Sequence, residues 1–213
     1  MRDCLRLSTA MQELTVVHRS DNFLVVDKPP DLIFNSDDPE RDSVYLRLQK
    51  QFPDLADTSK YAVSNCILVP HVHIPRTIQM LIPKHGFPVL HRLDFATSGL
   101  LVVPLSKKAA KAAARAFERR LTKKFYSAIL RGRLEAGDLV TVDWPVGEDA
   151  EGDPGVRMRL GDGTERCSRP RNAVTNVVVL SRGNFGSEEA TRVLLNPVTG
   201  RRHQVREMGN LLC

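Results

Sequence analysis

The sequence has little that marks a secreted or membrane-bound protein. Its four cysteines form no CxxC pair and no disulfide-type spacing, which favours reduced thiols. No apolar run is as long as a membrane span, and the N-terminus lacks the apolar core of a secretory signal. We therefore expect an intracellular protein of the cytoplasm or nucleus that does not bind membranes. The mitochondrion is an alternative, because Arg2, Arg6 and Ser8 resemble a presequence, although Asp3 and Glu13 do not fit one.

The charge of the chain is moderately basic. Lys and Arg number 31, against 25 Asp and Glu, in 213 residues. Such an excess suits a polyanionic partner, because each phosphate that a cation neutralises releases condensed counterions. A mildly basic enzyme with another substrate would have the same composition, so charge alone leaves both readings open.

The apolar pattern predicts an α+β fold with a mixed, mostly antiparallel sheet and flanking helices. Two short β-prone runs flank a polar turn and predict a hairpin, and Ser106 is placed to cap an Ala-rich helix that runs to about Arg120. The segment 147–170 is rich in Gly, Asp and Arg and predicts a mobile loop or a hairpin. The other predicted elements are a short helix at 46–52 and strands at 99–105, 125–130, 176–180 and 191–195, and the hairpin strands are 14–17 and 23–26.

The most informative segment is residues 91–101, which read HRLDFATSGLL just before and into a predicted strand. It is a polar loop in which Asp94 lies between a cation and two hydroxyls, and Gly99 ends it. Loops held by a rigid sheet often carry catalytic groups. On the residues alone, an ordinary turn in which Asp94 caps Thr97 and Ser98 is the favoured interpretation.

The full string HRLDxxTSGLL resembles the signature of the RluA-type RNA pseudouridine synthases, and its many specified positions make a chance match negligible. Three further segments are similar to the family in order and spacing. They are 23–29 (FLVVDKP) for its opening strand and turn, 124–128 (KFYSA) for its KxYxA strand, and 196–206 (NPVTGRRHQVR) for its PxTGRTHQIR segment.

The resemblance implies a catalytic domain over residues 14–206 that isomerises uridine to pseudouridine in tRNA, rRNA or mRNA. It implies no cofactor, no metal and no obligatory protein partner. The reaction breaks the N1–C1′ bond, rotates the base and rejoins it through C5, so it needs a carboxylate beside C1′ and a pocket for the detached base. Residues 1–13 are then an N-terminal extension.

The family's catalytic residues correspond to Asp94, Tyr126 and Arg206. The resemblance implies that Asp94 acts as an ionised carboxylate, which either attacks the sugar or takes a ribose proton. Arg206 is the partner cation that keeps this carboxylate ionised under a base. Tyr126 stacks on the base and assists removal of the C5 proton, or is simply a core aromatic.

The substrate-binding residues implied in the same way are Arg92, His91, Thr97 and Lys28. Arg92 helps to hold the target uridine out of the stack, which otherwise costs a few kcal/mol. An ordinary surface ion pair is the alternative for Arg92. Thr97 shapes the loop more than it touches substrate, and Lys28 braces the floor of the site.

The chain departs from the family pattern in three places. Residues 60–90 are longer than usual before HRLD and predict a surface insertion. Its Cys66, His71, His73 and His85 match no standard zinc spacing. Arg202 replaces a Thr that caps a helix in relatives.

The third departure is the tail 207–213, which diverges as if the chain were truncated. We expect residues 203–208, barely one and a half turns, to fray. A catalytically impaired RNA-binding truncation product is therefore the second hypothesis beside an active synthase.

Overall fold

The computed structural model describes residues 12–55, 87, 90–135, 137–152, 157–161 and 163–212. The chain divides into two compact units, residues 1–119 and 120–213. Nearly all of the predicted N-terminal extension and of the predicted insertion lie outside the described residues. No described helix is both long and apolar enough to cross a membrane. The predicted single catalytic domain includes most of both units and stays a prediction.

The described residues of the first unit form a three-stranded antiparallel sheet of order β1-β2-β3 and two α-helices. The predicted hairpin is confirmed as β1 and β2. In β2 the inward positions Leu24 and Val26 are followed on the same face by Lys28, which pairs with Gly99 of β3. The elements are β1 (Thr15–Arg19), β2 (Phe23–Lys28), α1 (Val44–Gln51), a 3-10 turn (Pro53–Leu55), β3 (Gly99–Pro104) and α2 (Lys107–Glu118).

The two described helices of this unit each begin at a serine that caps them. The hydroxyl of Ser106 accepts a hydrogen bond of 3.1 Å from the amide of Ala109, as the sequence predicted for α2. Ser43 accepts from the amide of Leu46 at the start of α1. These bonds satisfy amides that have no partner within a helix, and they explain why α1 begins two residues before the predicted position.

In the second unit the described residues form two antiparallel sheets, of order β4-β10-β9-β5 and β7-β6-β8, and one helix. With the first unit, they confirm the α+β class and its mostly antiparallel pairing. The predicted strands 176–180 and 191–195 lie within β9 and β10, and the predicted strand 125–130 matches β4 with a shift of one residue. The elements are β4 (Tyr126–Arg131), β5 (Leu139–Asp143), β6 (Val146–Asp149), β7 (Met158–Leu160), β8 (Cys167–Arg171), β9 (Val174–Phe185), β10 (Glu188–Pro197) and α3 (Gln204–Leu212).

The segment predicted as a mobile loop or hairpin, 147–170, forms most of the sheet β7-β6-β8, so the hairpin reading was the better one. Its glycine content misled the loop reading, because Gly147 lies inside strand β6. A Cβ there would stand 2.5 Å from the carbonyl oxygen of Ser168 and 2.6 Å from Sγ of Cys167. Glycine at this position therefore permits close approach of two strands.

The core of the second unit lies between the four-stranded sheet and α3. Met208 of α3 has no exposed surface and packs with buried residues of the sheet. Gly209 beside it brings the helix close, since a Cβ there would lie 3.2 Å from Cδ2 of Leu130. The sheet residues of this core include Leu130, Val142, Val177, Val193 and Leu195.

Candidate active site

The loop that carries Asp94 is a tight turn at the start of β3. The carbonyl of Asp94 accepts a hydrogen bond of 3.1 Å from the amide of Thr97, so Phe95 and Ala96 form the turn. Gly99 then enters the strand with a φ of +126°, a conformation that side chains rarely adopt. Asp94 itself is half-buried and Phe95 is 53% exposed. The loop therefore presents a carboxylate on a turn whose ends are fixed.

Lys28 holds this loop from the interior of the first unit. Its side chain is completely buried, and its ammonium donates hydrogen bonds to the carbonyl oxygens of Pro29 (2.9 Å), Phe95 (2.9 Å) and Thr97 (2.8 Å). Burial lowers the pKa of Lys28, while the charges of Asp31 and Asp94 raise it. The two carbonyls of the loop are thus tied to β2 by charge-assisted bonds.

His91 holds the other end of the loop. Its Nε2 accepts a hydrogen bond of 3.0 Å from the amide of Val102 in β3, and its ring stacks on Phe117 of α2 with centroids 5.0 Å apart. Because β3 is the outermost strand of the described sheet, the amide of Val102 has no partner in a described strand, and Nε2 of His91 accepts its hydrogen bond instead. The ring therefore links the loop to both β3 and α2.

Arg92 and Thr97 complete the predicted residues of the first unit. The side chain of Arg92 is exposed, and it forms no ion pair with a carboxylate of the described residues. Thr97 is half-buried, with its backbone engaged by Lys28 and by Asp94. The structure thus gathers Lys28, Thr97 and Asp94 around one turn and leaves Arg92 beside it in solvent.

The other two predicted catalytic residues lie in the second unit. Tyr126 begins β4, pairs with Leu195 of β10 and packs, half-buried, against the core of that unit. Arg206 lies in the first turn of α3 with an exposed side chain. The sequence had associated both with Asp94 through the family resemblance alone.

The expectation that the C-terminal helix frays is wrong. Helix α3 runs for nine residues to Leu212 and contacts β4, β7 and β10. The expectation considered helix length alone, whereas most helical stability in proteins comes from packing an apolar face. Here Met208 and Gly209 are buried, so the turn that carries Arg206 is anchored to the sheet.

A buried hydrogen-bond network fixes the start of this helix, and sequence reasoning missed it. Oε1 of Gln204 accepts from the hydroxyl of Thr199 and from the amide of Arg201, both at 2.8 Å. Its Nε2 donates to the carbonyl of Val174 and to the hydroxyl of Thr175, both at 3.0 Å. All four hydrogen-bonding positions of this amide are used, as expected for a polar side chain that is only 3% exposed.

The network has consequences for the segment before α3. The hydroxyl of Thr199 also accepts from the amide of Val174, so the segment 199–204 is tied to the first residues of β9. Gln204 is part of the HQVR string that ends at Arg206. Its place in this family motif was the only feature of the sequence that could have indicated the network. Among the described residues no group of three or more His, Cys, Asp or Glu side chains could hold a metal.

Comparison with known proteins gives consistent results along most of the chain. A family model described as RNA pseudouridylate synthase matches residues 22–210. RNA pseudouridylate synthase domain-containing protein 1 of Danio rerio is 35% identical over 199 residues, which are 92% of this chain and 59% of that protein. Dual-specificity RNA pseudouridine synthase RluA of Yersinia pestis is 32% identical over 195 residues, 91% of this chain and 74% of that protein.

A solved structure is also similar. Human RNA Pseudouridylate Synthase Domain Containing 1 aligns with a TM-score of 0.68 at 31% identity, covering 92% of this chain and 64% of that one. The chain therefore spans about three fifths of the length of the zebrafish and human proteins it matches.

Proposed function

This chain belongs to the RNA pseudouridylate synthase family, as the resemblance in its sequence predicted, and on that premise we propose that it isomerises uridine to pseudouridine in RNA. The observation that carries the proposal is the half-buried carboxylate of Asp94, which heads the tight turn of HRLDxxTSGLL. The buried ammonium of Lys28 holds that turn through two of its carbonyls. A carboxylate fixed in this way has the preorganisation that catalysis needs.

Asp94 is the proposed catalytic carboxylate. The reaction exchanges the N1–C1′ bond for a C5–C1′ bond, and the hydrogen on C5 leaves to solvent while N1 gains one. In its ionised form Asp94 either attacks C1′ or removes a proton from the ribose. In both cases the base must be free to rotate after N1 has separated from the sugar, without any change of oxidation state.

Tyr126 and Arg206 are the proposed partners of Asp94 in this reaction. The phenol ring of Tyr126 would support the detached base and help to remove the C5 proton. The guanidinium of Arg206 would keep Asp94 ionised, because an opposite charge favours the charged form of an acid. Both side chains stand on elements that pack against the core of the second unit.

Arg92, Thr97, His91 and Lys28 are proposed to serve substrate binding and loop geometry. The exposed guanidinium of Arg92 suits contact with the strand around an everted uridine. The bonds of His91 and Lys28 to the backbone suit a role in holding the loop. RNA as substrate would place the activity in the cytoplasm, the nucleus or the mitochondrion.

The proposal is tested by Asp94→Asn, which keeps the shape of the side chain and removes its charge. We expect release of tritium from RNA labelled at C5 of uridine to fall to background. RNA affinity should stay within a few-fold, because phosphate contacts carry most of it. Asp27→Asn removes an exposed carboxylate of β2 in the same unit and is the matched control. It should retain full turnover.

Normal turnover by Asp94→Asn would refute the role of this carboxylate. Tight RNA binding by the wild-type chain without any turnover would instead favour an RNA-binding protein that lacks activity.

A further inference from the structure

Four cations of the second unit come together from three separate segments. Arg120 and Lys124 precede β4, Arg171 ends β8, and Arg201 precedes α3. The ammonium of Lys124 donates to the carbonyl of Thr199 at 3.3 Å, and Nε of Arg201 donates to the carbonyl of Asn172 at 3.0 Å. We refer to Arg120, Lys124, Arg171 and Arg201 as the basic cluster.

Gly200 lies between the two anchored cations of the basic cluster. A Cβ on this residue would stand 3.4 Å from Nζ of Lys124, so the ammonium lies close to the backbone of Gly200. The ammonium of Lys124 is therefore beside the backbone that leads directly to Arg201. One short stretch of chain thus carries the carbonyl that holds one cation and the side chain of the next.

The charges of the basic cluster repel one another, and within the described part of the chain no carboxylate is paired with them. Burial lowers the pKa of Lys124, and the charge of Arg120 lowers it further. Burial also lowers the pKa of Arg201, with Arg171 and Arg120 adding to the effect. None of the four forms an ion pair with a carboxylate of the residues that the structure describes.

Other arginines of the same unit differ in this respect. Arg131, for example, pairs with Glu188 at 2.9 Å, and Arg182 pairs with Asp138 at 3.3 Å. Like charges without a counterion destabilise the folded chain. A bound anion would remove this repulsion, so the arrangement is explained if the basic cluster has an anionic ligand.

The basic cluster also retains hydrogen-bond donors for such a ligand. Within the described part of the chain, the ammonium of Lys124 makes one long hydrogen bond, and the terminal nitrogens of Arg201 make none. A phosphate offers several acceptor oxygens to these donors.

Two members of the basic cluster, Lys124 and Arg201, are held in place by the folded chain itself. Gln204 bonds to the hydroxyl of Thr199 and to the amide of Arg201, so it holds the backbone that positions both Lys124 and Arg201. Side chains whose supports are already rigid lose less entropy on binding. The buried network before α3 therefore preorganises Lys124 and Arg201 of the basic cluster.

We propose that Arg120, Lys124, Arg171 and Arg201 form a binding site for the phosphodiester backbone of RNA on the second unit. The choice of RNA over another polyanion rests on the proposed function. The site would add affinity without reading sequence, since phosphate contacts position a nucleic acid and base contacts specify it. It would hold the RNA at positions other than the modified uridine.

The test measures RNA binding by the full chain carrying Arg171→Gln, Arg120→Gln or both changes. Both side chains are exposed, so the variants should fold. The probe is an in vitro transcribed tRNA, titrated by fluorescence anisotropy at several salt concentrations. Arg131→Gln is the control, because it removes the same charge from an exposed arginine that already has a carboxylate partner.

We expect each single change to weaken RNA binding roughly tenfold and to reduce the log–log salt slope by ~1. Arg131→Gln should leave both values near those of the wild type. Arg171→Lys should restore the slope, because it restores the charge. The Tm of Arg171→Gln should equal or exceed that of the wild type, because the change relieves repulsion within the basic cluster.

Affinity and salt slope equal to those of Arg131→Gln would overturn the site. Displacement of the tRNA by inorganic phosphate at comparable concentrations of phosphate groups would also overturn it, in favour of a small-anion site. Tritium release by the wild-type chain is measured in parallel and tests the proposed function separately. Turnover together with an RNA affinity that does not depend on the basic cluster refutes only this site. An RNA affinity that depends on the basic cluster, without turnover, refutes only the isomerase activity.

Discussion

Lys28→Met tests how the first unit supports the Asp94 loop. Methionine keeps most of the volume of the lysine side chain, so the change removes hydrogen bonds without opening a large cavity. The three carbonyls of Pro29, Phe95 and Thr97 lose their donor. Two of these belong to the turn that carries Asp94.

The magnitude follows from the three lost bonds. A buried group that loses its partner costs ~1–3 kcal/mol. Phe95 is half exposed, so its carbonyl can regain water, whereas Lys28 lies in the interior. Removing the buried ammonium also relieves its desolvation, which offsets part of the loss. We therefore expect the free energy of unfolding to fall by about 2–4 kcal/mol, from the range for three such groups.

Urea unfolding measures this change, and tritium release measures its effect on turnover. Lys111→Met is the control, since it replaces an exposed lysine on α2. Turnover of Lys28→Met should fall more than its RNA affinity, because the loop positions Asp94. Unchanged stability and unchanged turnover would show that the three bonds do not support the loop.

Two further changes concern α3. Gln204→Leu should lower the free energy of unfolding by roughly 2–4 kcal/mol in urea titrations, because it leaves several buried groups unpaired; a loss no larger than that of an exposed substitution such as Arg202→Leu would contradict the network. Burial raises the pKa of Glu207 in the folded chain. Folding is therefore less favourable at a pH high enough to ionise this carboxyl than at a pH low enough to keep it protonated. Glu207→Gln should therefore raise the Tm at pH 7 but not at pH 4, and a shift equal at both pH values would refute that reasoning.

Features set by short stretches of chain could be predicted from the sequence. The β1–β2 hairpin follows from two apolar runs around a polar turn, and Ser106 was identified as a helix cap from its position alone. The long HRLD string was sufficient to identify the family. In each case the residues that determine the feature lie close together in the sequence.

Features set by distant contacts could not be predicted. Gly147 looked like part of a loop because nothing in its neighbours shows that Ser168 lies against it. The stability of α3 depends on Met208 meeting a sheet formed by earlier strands. Gln204 bonds to Val174 and Thr175, which are about 30 residues away in sequence. None of these contacts leaves a periodic signal.

The same contrast separates two kinds of residue within the family signature. The ammonium of Lys28 and Nε2 of His91 are already bonded to backbone atoms around the loop. We interpret both as positioning residues, although the resemblance had placed them with substrate. The guanidinium of Arg92 is exposed and the carboxylate of Asp94 is half-buried, and these are the two side chains for which we propose contact with RNA and chemistry. The family motif thus contains residues that position the loop as well as residues proposed for catalysis. Substitutions at Lys28 should affect turnover by changing the position of the loop that carries Asp94.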